Sequence, residues 1–390
     1  MKKNINFFTV LSSFVWVSFL MSCTSPSSSG LKEIVIDPSQ TIGFYDLAED
    51  VEPEFDIFAL ETTDSCLVGG ICRIIYTNDL YYILDNNSVI FIFNPQGKFV
   101  SKLDKKGRGP DEYVHIRDFT VVGENIWLYD EIRRKFSCYD ENLNKTEDVE
   151  TNTIINKIAC AGGNIYGAGV WFGIHRENFQ IIEYNTLNKE LKKLIPYPQN
   201  YDQNVFAKNP YIPYIINQLA PLADSCLFVQ PYCDTLFQVG HGTVTPRYKF
   251  RFTERYIDKQ LTKDEWEEES KKSMIIGVSA IYQTPASILI LYAEPEYKFA
   301  IFNKETGIAK VYYVQFVNSY LGNLGIYRME FTANQEIIAI YPAVEGEPSF
   351  MKDRVKNPED RQKIENAFIG LTEDSNPVIL KYKLKKNSKL

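Results

Sequence analysis

A short phrase returns six times along this chain and constrains its fold more than any other feature. Each copy is a small polar turn followed by a β-rich run. The copies are Asn78-Asp79-Leu80-Tyr81-Tyr82-Ile83-Leu84-Asp85, Glu124-Asn125-Ile126-Trp127-Leu128-Tyr129-Asp130, Gly163-Asn164-Ile165-Tyr166, Asp224-Ser225-Cys226-Leu227-Phe228-Val229, Ala286-Ser287-Ile288-Leu289-Ile290-Leu291 and Asn334-Gln335-Glu336-Ile337-Ile338-Ala339-Ile340. Repetition at a spacing of roughly 40–60 residues marks a propeller or array, in which one repeat cannot bury its apolar face alone. The 25 Tyr and 25 Phe suit half-buried pleated surfaces.

A third strand follows each phrase, often with a tight turn to a fourth. Ile90-Phe91-Ile92-Phe93 turns at Asn94-Pro95-Gln96-Gly97 into Phe99-Val100, and Phe299-Ala300-Ile301-Phe302 turns at Asn303-Lys304-Glu305-Thr306-Gly307. These are hairpins with the expected turn chemistry. Four antiparallel strands in each of six repeats predict an all-β fold, a six-bladed β-propeller in one closed domain over residues 55–390. The blades fall near 71–104, 113–150, 156–195, 218–252, 278–316 and 327–384. The run Phe55-Asp56-Ile57-Phe58-Ala59-Leu60 has no blade of its own. It is expected to close the ring by completing the blade that holds 378–384. Two insertions read as small helices. Thr262-Lys263-Asp264-Glu265 is a capping-box pattern. Asn357-Pro358-Glu359-Asp360 is a helix start that places Ile364 and Phe368 on one face, with a stop at Gly370.

The N-terminus is not part of this fold. Lys2 and Lys3 precede an apolar run from Phe7 to Leu20 that is too short and wrongly flanked to span a bilayer. Leu20-Met21-Ser22-Cys23 and the Ser-rich run to Gly30 resemble a bacterial lipoprotein signal, with Cys23 as the lipidated residue. An ordinary secretory peptide cleaved near Ser22 is the plainer alternative. The expected organisation is a signal peptide over 1–22, a lipidated N-terminus, tether and lead-in strand over 23–54, and the propeller over 55–390. Such a protein is exported and held at the membrane by its lipid alone. A Ser-rich rather than acidic stretch after Cys23 points to the periplasmic side of an outer membrane, with the cell surface left open.

The formal net charge is −8, and loss of residues 1–22 removes two lysines and no acid, leaving −10. Nucleic acid is a poor partner for such a chain, because phosphate binding rests on basic clusters. Six cysteines remain besides Cys23, and none forms a C-x-x-C motif. Buried thiols are expected, with Cys66–Cys72 and Cys226–Cys233 as the alternative bridges.

Between the first two blades stands Gly107-Arg108-Gly109-Pro110-Asp111-Glu112-Tyr113. This run resembles the G-x-G-P-x-E-Y element of six-bladed propeller lipoproteins of the Bacteroidetes type, which are themselves similar to NHL-repeat propellers. The resemblance covers nearly the whole mature chain. It implies an exported envelope protein and carries over no catalytic residue.

Strand parity says where chemistry can sit. In an antiparallel meander successive turns alternate between two faces. The long segments 104–112, 167–178, 196–217, 253–276 and 342–377 all join second to third strands or blade to blade, so they gather on one face. Long loops on a rigid scaffold tend to carry function. The opposite face has short polar turns, among them Asn142 and Lys304, and reads as silent surface. Arg108, Asp111, Glu112, Tyr113 and His115 are candidate ligand-binding residues from the first loop. A structural turn is the competing account, with glycines at positive φ and Pro110 fixing the chain. Trp171, Phe172, His175 and Arg176 form a second candidate patch, whose aromatic faces and polar edges suit a sugar or peptide. Packing of Trp171 and Phe172 onto a blade is the alternative. Asp85 and Asp130 end equivalent strands and either start turns or offer oxygens to a calcium ion on the axis. The three histidines lack metal-type spacing, and there is no G-x-S-x-G elbow. The expected function is a binding propeller of the cell envelope that engages a protein partner or a glycan or peptide ligand. No cofactor is expected. The alternative is a calcium-dependent hydrolase or lyase with its site on the axis.

Overall fold

The computed structural model describes residues 30–390 except 170–178, 197–215, 231–232, 258–260, 262, 270–271, 273, 276, 294–296, 322–323, 327–328, 333–334, 344–354 and 387. It is a six-bladed propeller of four-stranded antiparallel blades. The first strands are Ile71–Thr77, Ile116–Val122, Ile155–Ala161, Leu219–Leu222, Gly277–Gln283 and Met329–Phe331. Those of blades one to five touch in sequence around the axis. The outermost strands are Phe99–Leu103, Lys145–Glu150, Glu190–Pro196, Thr243–Phe252, Ala309–Tyr313 and Val51–Ala59.

Burial follows from each strand's place in its blade. Second strands have a neighbouring blade on both faces, so Asn125–Asp130 is buried from Ile126 onward. The outer strand Lys145–Glu150 has solvent on alternate positions and reads half-buried, exposed, half-buried. The core is therefore not a single mass at the centre. Among the described residues it is six apolar clusters, one in each joint between adjacent blades, with a small seventh of Ile257, Leu261 and Met274 in the insertion after blade four. The joint between blades two and three, for example, packs Trp127, Tyr129, Phe136 and Cys138 against Ile155, Ile158, Ile165 and Tyr184.

The ring closes as expected. Val51–Ala59 pairs antiparallel with Val378–Leu384, with Phe55 opposite Tyr382 and Ala59 opposite Val378. The strand begins at Val51 rather than Phe55 because Glu52-Pro53-Glu54 also adopts extended backbone. Pro53 is tolerated there because this is an edge strand. Lys381 fixes the pairing: its Nζ lies 3.3 Å from Asp56 and 3.5 Å from Glu336. The lead-in segment is more ordered than a tether. Lys32–Ile36 joins the outer strand of blade four in parallel, as a fifth strand. Thr41 then bridges to Val311, and Tyr45–Asp46 pairs with Phe316–Asn318. Residues 32–46 thus cover blade edges whose backbone groups would otherwise be unpaired.

The helix Pro358–Phe368 starts at Asn357, whose Oδ1 accepts the Glu359 N–H at 2.9 Å. It buries Ile364 and Phe368 on one face, and Gly370 follows at φ +75°. A second helix spans Lys263–Glu269, and its expected cap Thr262 lies outside the described residues. All six cysteines other than Cys23 are free thiols, so neither Cys66–Cys72 nor Cys226–Cys233 forms a bridge.

Closure makes Phe55 a stringent probe. It is buried in the joint between blades five and six, with the Lys363 Nζ 4.5 Å from its ring centroid. Phe55→Ala is expected to lower unfolding free energy by about 3–5 kcal/mol in chemical denaturation. A loss below about 1 kcal/mol would mean that the ring holds without this contact.

Candidate functional site

The pairing sets two faces. The turns at 78–79, 123–124, 162–163 and 223–224, and those at 94–98, 140–144 and 186–189, share one face. The linkers between blades and the second-to-third connections share the other. The starts of the first strands open onto that second face. Trp171, Phe172, His175 and Arg176 lie outside the described residues, as do Cys23 and much of the longest insertions.

The loop from Gly107 to Tyr113 folds on itself. The Glu112 carboxylate turns back to accept the Gly109 N–H at 2.6 Å. The Gly107 N–H donates to the Tyr113 carbonyl at 2.8 Å, and the Tyr113 N–H to Lys105 at 3.1 Å. Tyr113 is buried, and its hydroxyl donates to the Leu103 carbonyl at 3.0 Å. Arg133, from the next blade, clamps the loop by donating to the carbonyls of Glu112 at 2.7 Å and Gly109 at 3.2 Å. Tyr139 donates to the Asp111 carbonyl and Lys145 to that of Pro110. Nearly every polar group of the element is thereby used to join blades one and two. The Arg108 and Asp111 side chains remain exposed on the face.

His115 sits beside this loop. Its Nδ1 is 2.8 Å from Ser88 Oγ and its Nε2 is 3.7 Å from Glu131 Oε2. The order serine, histidine, carboxylate suggests acyl transfer, but such chemistry needs a hydroxyl that a carbonyl can reach. Ser88 is 1% exposed, and its Oγ also accepts the Ile116 N–H at 3.2 Å. The three residues join blade one to blade two. Asp85 and Asp130 start turns, as one of the two sequence readings held. Asp85 Oδ1 accepts the N–H groups of Asn87 and Val89, both at 2.9 Å. Asp130 accepts those of Val114, Ile132 and Arg133. Among the described residues no three His, Cys, Asp or Glu side chains gather as a metal site.

A polar layer at the mouth of the axis is absent from the sequence reading. The first strands of blades one, two, three and five each carry a β-bulge near their start, at Cys72, Arg117, Asn156 and Ser279. Bulges re-aim side chains and cluster at barrel rims and beside active sites. Arg117 donates to Asn156 Oδ1 at 2.6 Å, across the joint between blades two and three. One residue deeper, the equivalent positions are Arg73, Asp118, Lys157, Gln218 and Ala280. The sixth, Arg328, lies outside the described residues. Arg73 Nη1 forms an ion pair with Asp118 and also donates to the Ile158 carbonyl at 2.8 Å. Asp118, 2% exposed, accepts the Ile158 N–H at 2.7 Å and has Lys157 Nζ at 3.8 Å. The signal in the sequence is a polar doublet at the head of four of the six first strands: Cys72-Arg73, Arg117-Asp118, Asn156-Lys157 and Asn217-Gln218.

A family profile described as a domain of unknown function, DUF4934, matches residues 33–383. The chain belongs to the DUF4934 family. No curated protein sequence matches it. Among solved structures, this DUF4934 protein resembles a Bacteroides fragilis protein described as exported. The two are 17% identical over 90% of this chain and 99% of the other, with a TM-score of 0.67. A DUF4221 family member from Bacteroides vulgatus is 9% identical over 86% of this chain and 97% of the other, at 0.42. Virginiamycin B lyase from Staphylococcus aureus is 11% identical over 73% of this chain and 82% of the other, at 0.43. At these identities the likeness is one of fold alone.

Two measurements test these assignments. A Cβ on Gly107 would collide with the Glu112 carboxylate. Gly107→Ala should therefore cost about 1–3 kcal/mol, and part should return in the Gly107→Ala/Glu112→Ala double variant. Additive losses would mean that the two residues do not meet. On the short-turn face Lys304 is not silent: its Nζ donates to the Thr284 carbonyl at 2.5 Å, and burial pushes its pKa down from 10.5 to about 8. Between those values the unfolded chain binds a proton that the folded chain lacks, so stability rises with pH. The difference in melting temperature between wild type and Lys304→Met should grow in favour of wild type from pH 8 to pH 10. A flat difference would place the ammonium in solvent.

Proposed function

We propose that this DUF4934 protein is an exported, lipid-anchored protein of the cell envelope. Its propeller, of NHL-like type, binds a protein partner or a glycan or peptide ligand on the face that carries the long insertions. One observation carries the binding part: bulged first strands bear a polar layer at the end of the axis where the long loops attach. Concave sites with a few convergent polar groups are the usual form of a ligand pocket. The Cys23 signal and the resemblance carried by Gly107 to Tyr113 support export and anchoring. The fold shared with a Bacteroides fragilis protein described as exported agrees with that reading.

Two arms test it. Cys23→Ala should move the protein from the membrane fraction to the soluble fraction; a variant that still pellets with membranes removes the lipid anchor from the reading. The second arm is capture from detergent-solubilised envelope together with a glycan array. Arg108→Ala and Arg117→Ala should each weaken capture by about tenfold or more, the scale of a central arginine contact. The exposed turn variant Asn142→Ala should leave it unchanged. Equal loss from both faces, or loss from Asn142→Ala alone, would place binding elsewhere.

A further inference from the structure

Exposed aromatic side chains gather in one sector of the ring. Among the described residues they are Phe44 on the lead-in segment, Tyr297 and Tyr313 on blade five, and Tyr320 on the link from blade five to blade six. The other described aromatic side chains are buried or half-buried.

Strand pairing makes these residues neighbours. The Tyr313 N–H donates to the Gly43 carbonyl at 2.9 Å, and its ring centroid lies 5.5 Å from that of Phe44. The Ile42 N–H donates to the Val311 carbonyl at 2.9 Å, and the Ile42 side chain is 63% exposed. Tyr313 stands opposite Lys298, so one step further the exposed Val314 stands beside Tyr297. Tyr320 follows the strand Phe316–Asn318, which pairs with Tyr45–Asp46. Gly43, between Ile42 and Phe44, has open space where a Cβ would stand. Single exposed apolar residues are ordinary, whereas a contiguous set marks a contact surface.

The chain that leads to this rim also limits what can cover it. Residues 24–31 separate Cys23 from Lys32, which is nine residue steps. Whatever their conformation, nine steps span about 30 Å at most. A folded domain of this length is about 50 Å across. With Cys23 held in the bilayer by its lipid, the far side of the ring cannot rest on the membrane. The edge that faces it is the one where residues 32–46 run along blades four and five. That edge is also where the exposed aromatic residues lie.

We propose that the outer rim of blade five is a membrane-docking surface. Ile42, Phe44, Tyr313 and Val314 seat in the headgroup region of the bilayer, flanked by Tyr297 and Tyr320. The inference rests on the lipid-anchor reading and deepens it. Tyrosine combines an apolar body with a polar tip, and such rings are favoured where apolar and wet regions meet. The contact is weak by itself, so release of Cys23→Ala is still expected. The lipid makes it intramolecular and thereby effective. The propeller then rests on its edge, with the loop-bearing face turned sideways rather than into the bilayer.

The test uses full-length lipidated protein reconstituted into phosphatidylcholine vesicles, whose zero net charge leaves apolar contact as the attraction. An environment-sensitive fluorophore is placed on Ile42→Cys, or on Asn142→Cys in blade two across the ring, each with the exposed Cys72 replaced by Ser. Emission at position 42 should rise severalfold in vesicles and be quenched by nitroxide-labelled lipid, with position 142 unchanged. Equal response at both positions, or no quenching at 42, would overturn the proposal. In the unlipidated Cys23→Ala background, Ile42→Ser/Phe44→Ser/Tyr313→Ser should lower vesicle partition by about tenfold or more at an unchanged melting temperature. Unchanged partition, or a lower melting temperature that marks the three as packing residues, counts against the docking surface. Loss of envelope-protein capture in the triple variant with vesicle partition intact would assign the rim to a protein partner instead. If Cys23→Ala is released while the fluorophore at 42 stays in water, the rim falls and the anchor stands. If Cys23→Ala stays with membranes and the triple variant releases it, the anchor falls and the rim stands.

Discussion

Everything in this molecule depends on the pairing of Val51–Ala59 with Val378–Leu384. The apolar core is distributed over joints between blades, so each blade is stable only while both neighbours are present. An open ring would expose two of those joints and two strand edges. The closing strand is accordingly tied at both ends. At its start, Asp50 accepts the Lys389 N–H at 2.5 Å and the Ser388 hydroxyl at 3.0 Å. Past its end, Asn376 is 1% exposed and fully engaged. Its Nδ2 donates to the carbonyls of Glu61 and Cys66, both at 2.6 Å, and its Oδ1 accepts the Val68 N–H at 2.8 Å. That rivet fixes the linker into blade one, and so the height at which the first axial strand begins.

The loop-bearing face holds two kinds of polar residue, and hydrogen-bond satisfaction separates them. Glu112, Asp85, Asp130 and Ser88 each meet backbone N–H groups from a neighbouring turn or blade. They belong to the joints. The side chains of Gln218 and Ser279 are buried and find no hydrogen-bond partner among the described residues. A stable domain tolerates few such groups, and an ordered water or local strain is the ordinary account of each.

Much of the architecture was legible because it is local. The six phrases, the hairpin turns and the helix start at Asn357 each depend on residues within a few positions of one another. Closure by the strand at Phe55 was legible by elimination, since every other strand run already had a blade. The strand at Lys32–Ile36 was not, because parallel pairing to Thr243–Phe252 leaves no turn signal and spans about two hundred residues. The candidate site was legible only in outline. Parity placed the loops on one face, yet attention fell on Gly107 to Tyr113 because it looks like a motif. Its glycines answer to a collision with Glu112 and its tyrosine to a buried hydroxyl contact. Burial and partnership, which decide between scaffold and site, are three-dimensional facts that a linear pattern does not carry.

A repeated fold offers one more way to locate function. Its blades impose the same backbone at equivalent positions, so a structural requirement there should be met by similar residues. The second strands obey this: they are apolar and buried in every blade. The layer behind the bulges does not. Arg73, Asp118, Lys157 and Ala280 each follow a bulge and Gln218 stands at the same register without one, yet the five carry a cation, an anion, a second cation, an amide and a methyl group. No requirement of the propeller distinguishes those five positions. The ion pairs among the first three account for Asp118, while the Gln218 amide finds no hydrogen-bond partner among the described residues. Asymmetry imposed on a symmetric frame, at the end of the axis where the long loops attach, marks this layer as the place where the propeller departs from its own repeat.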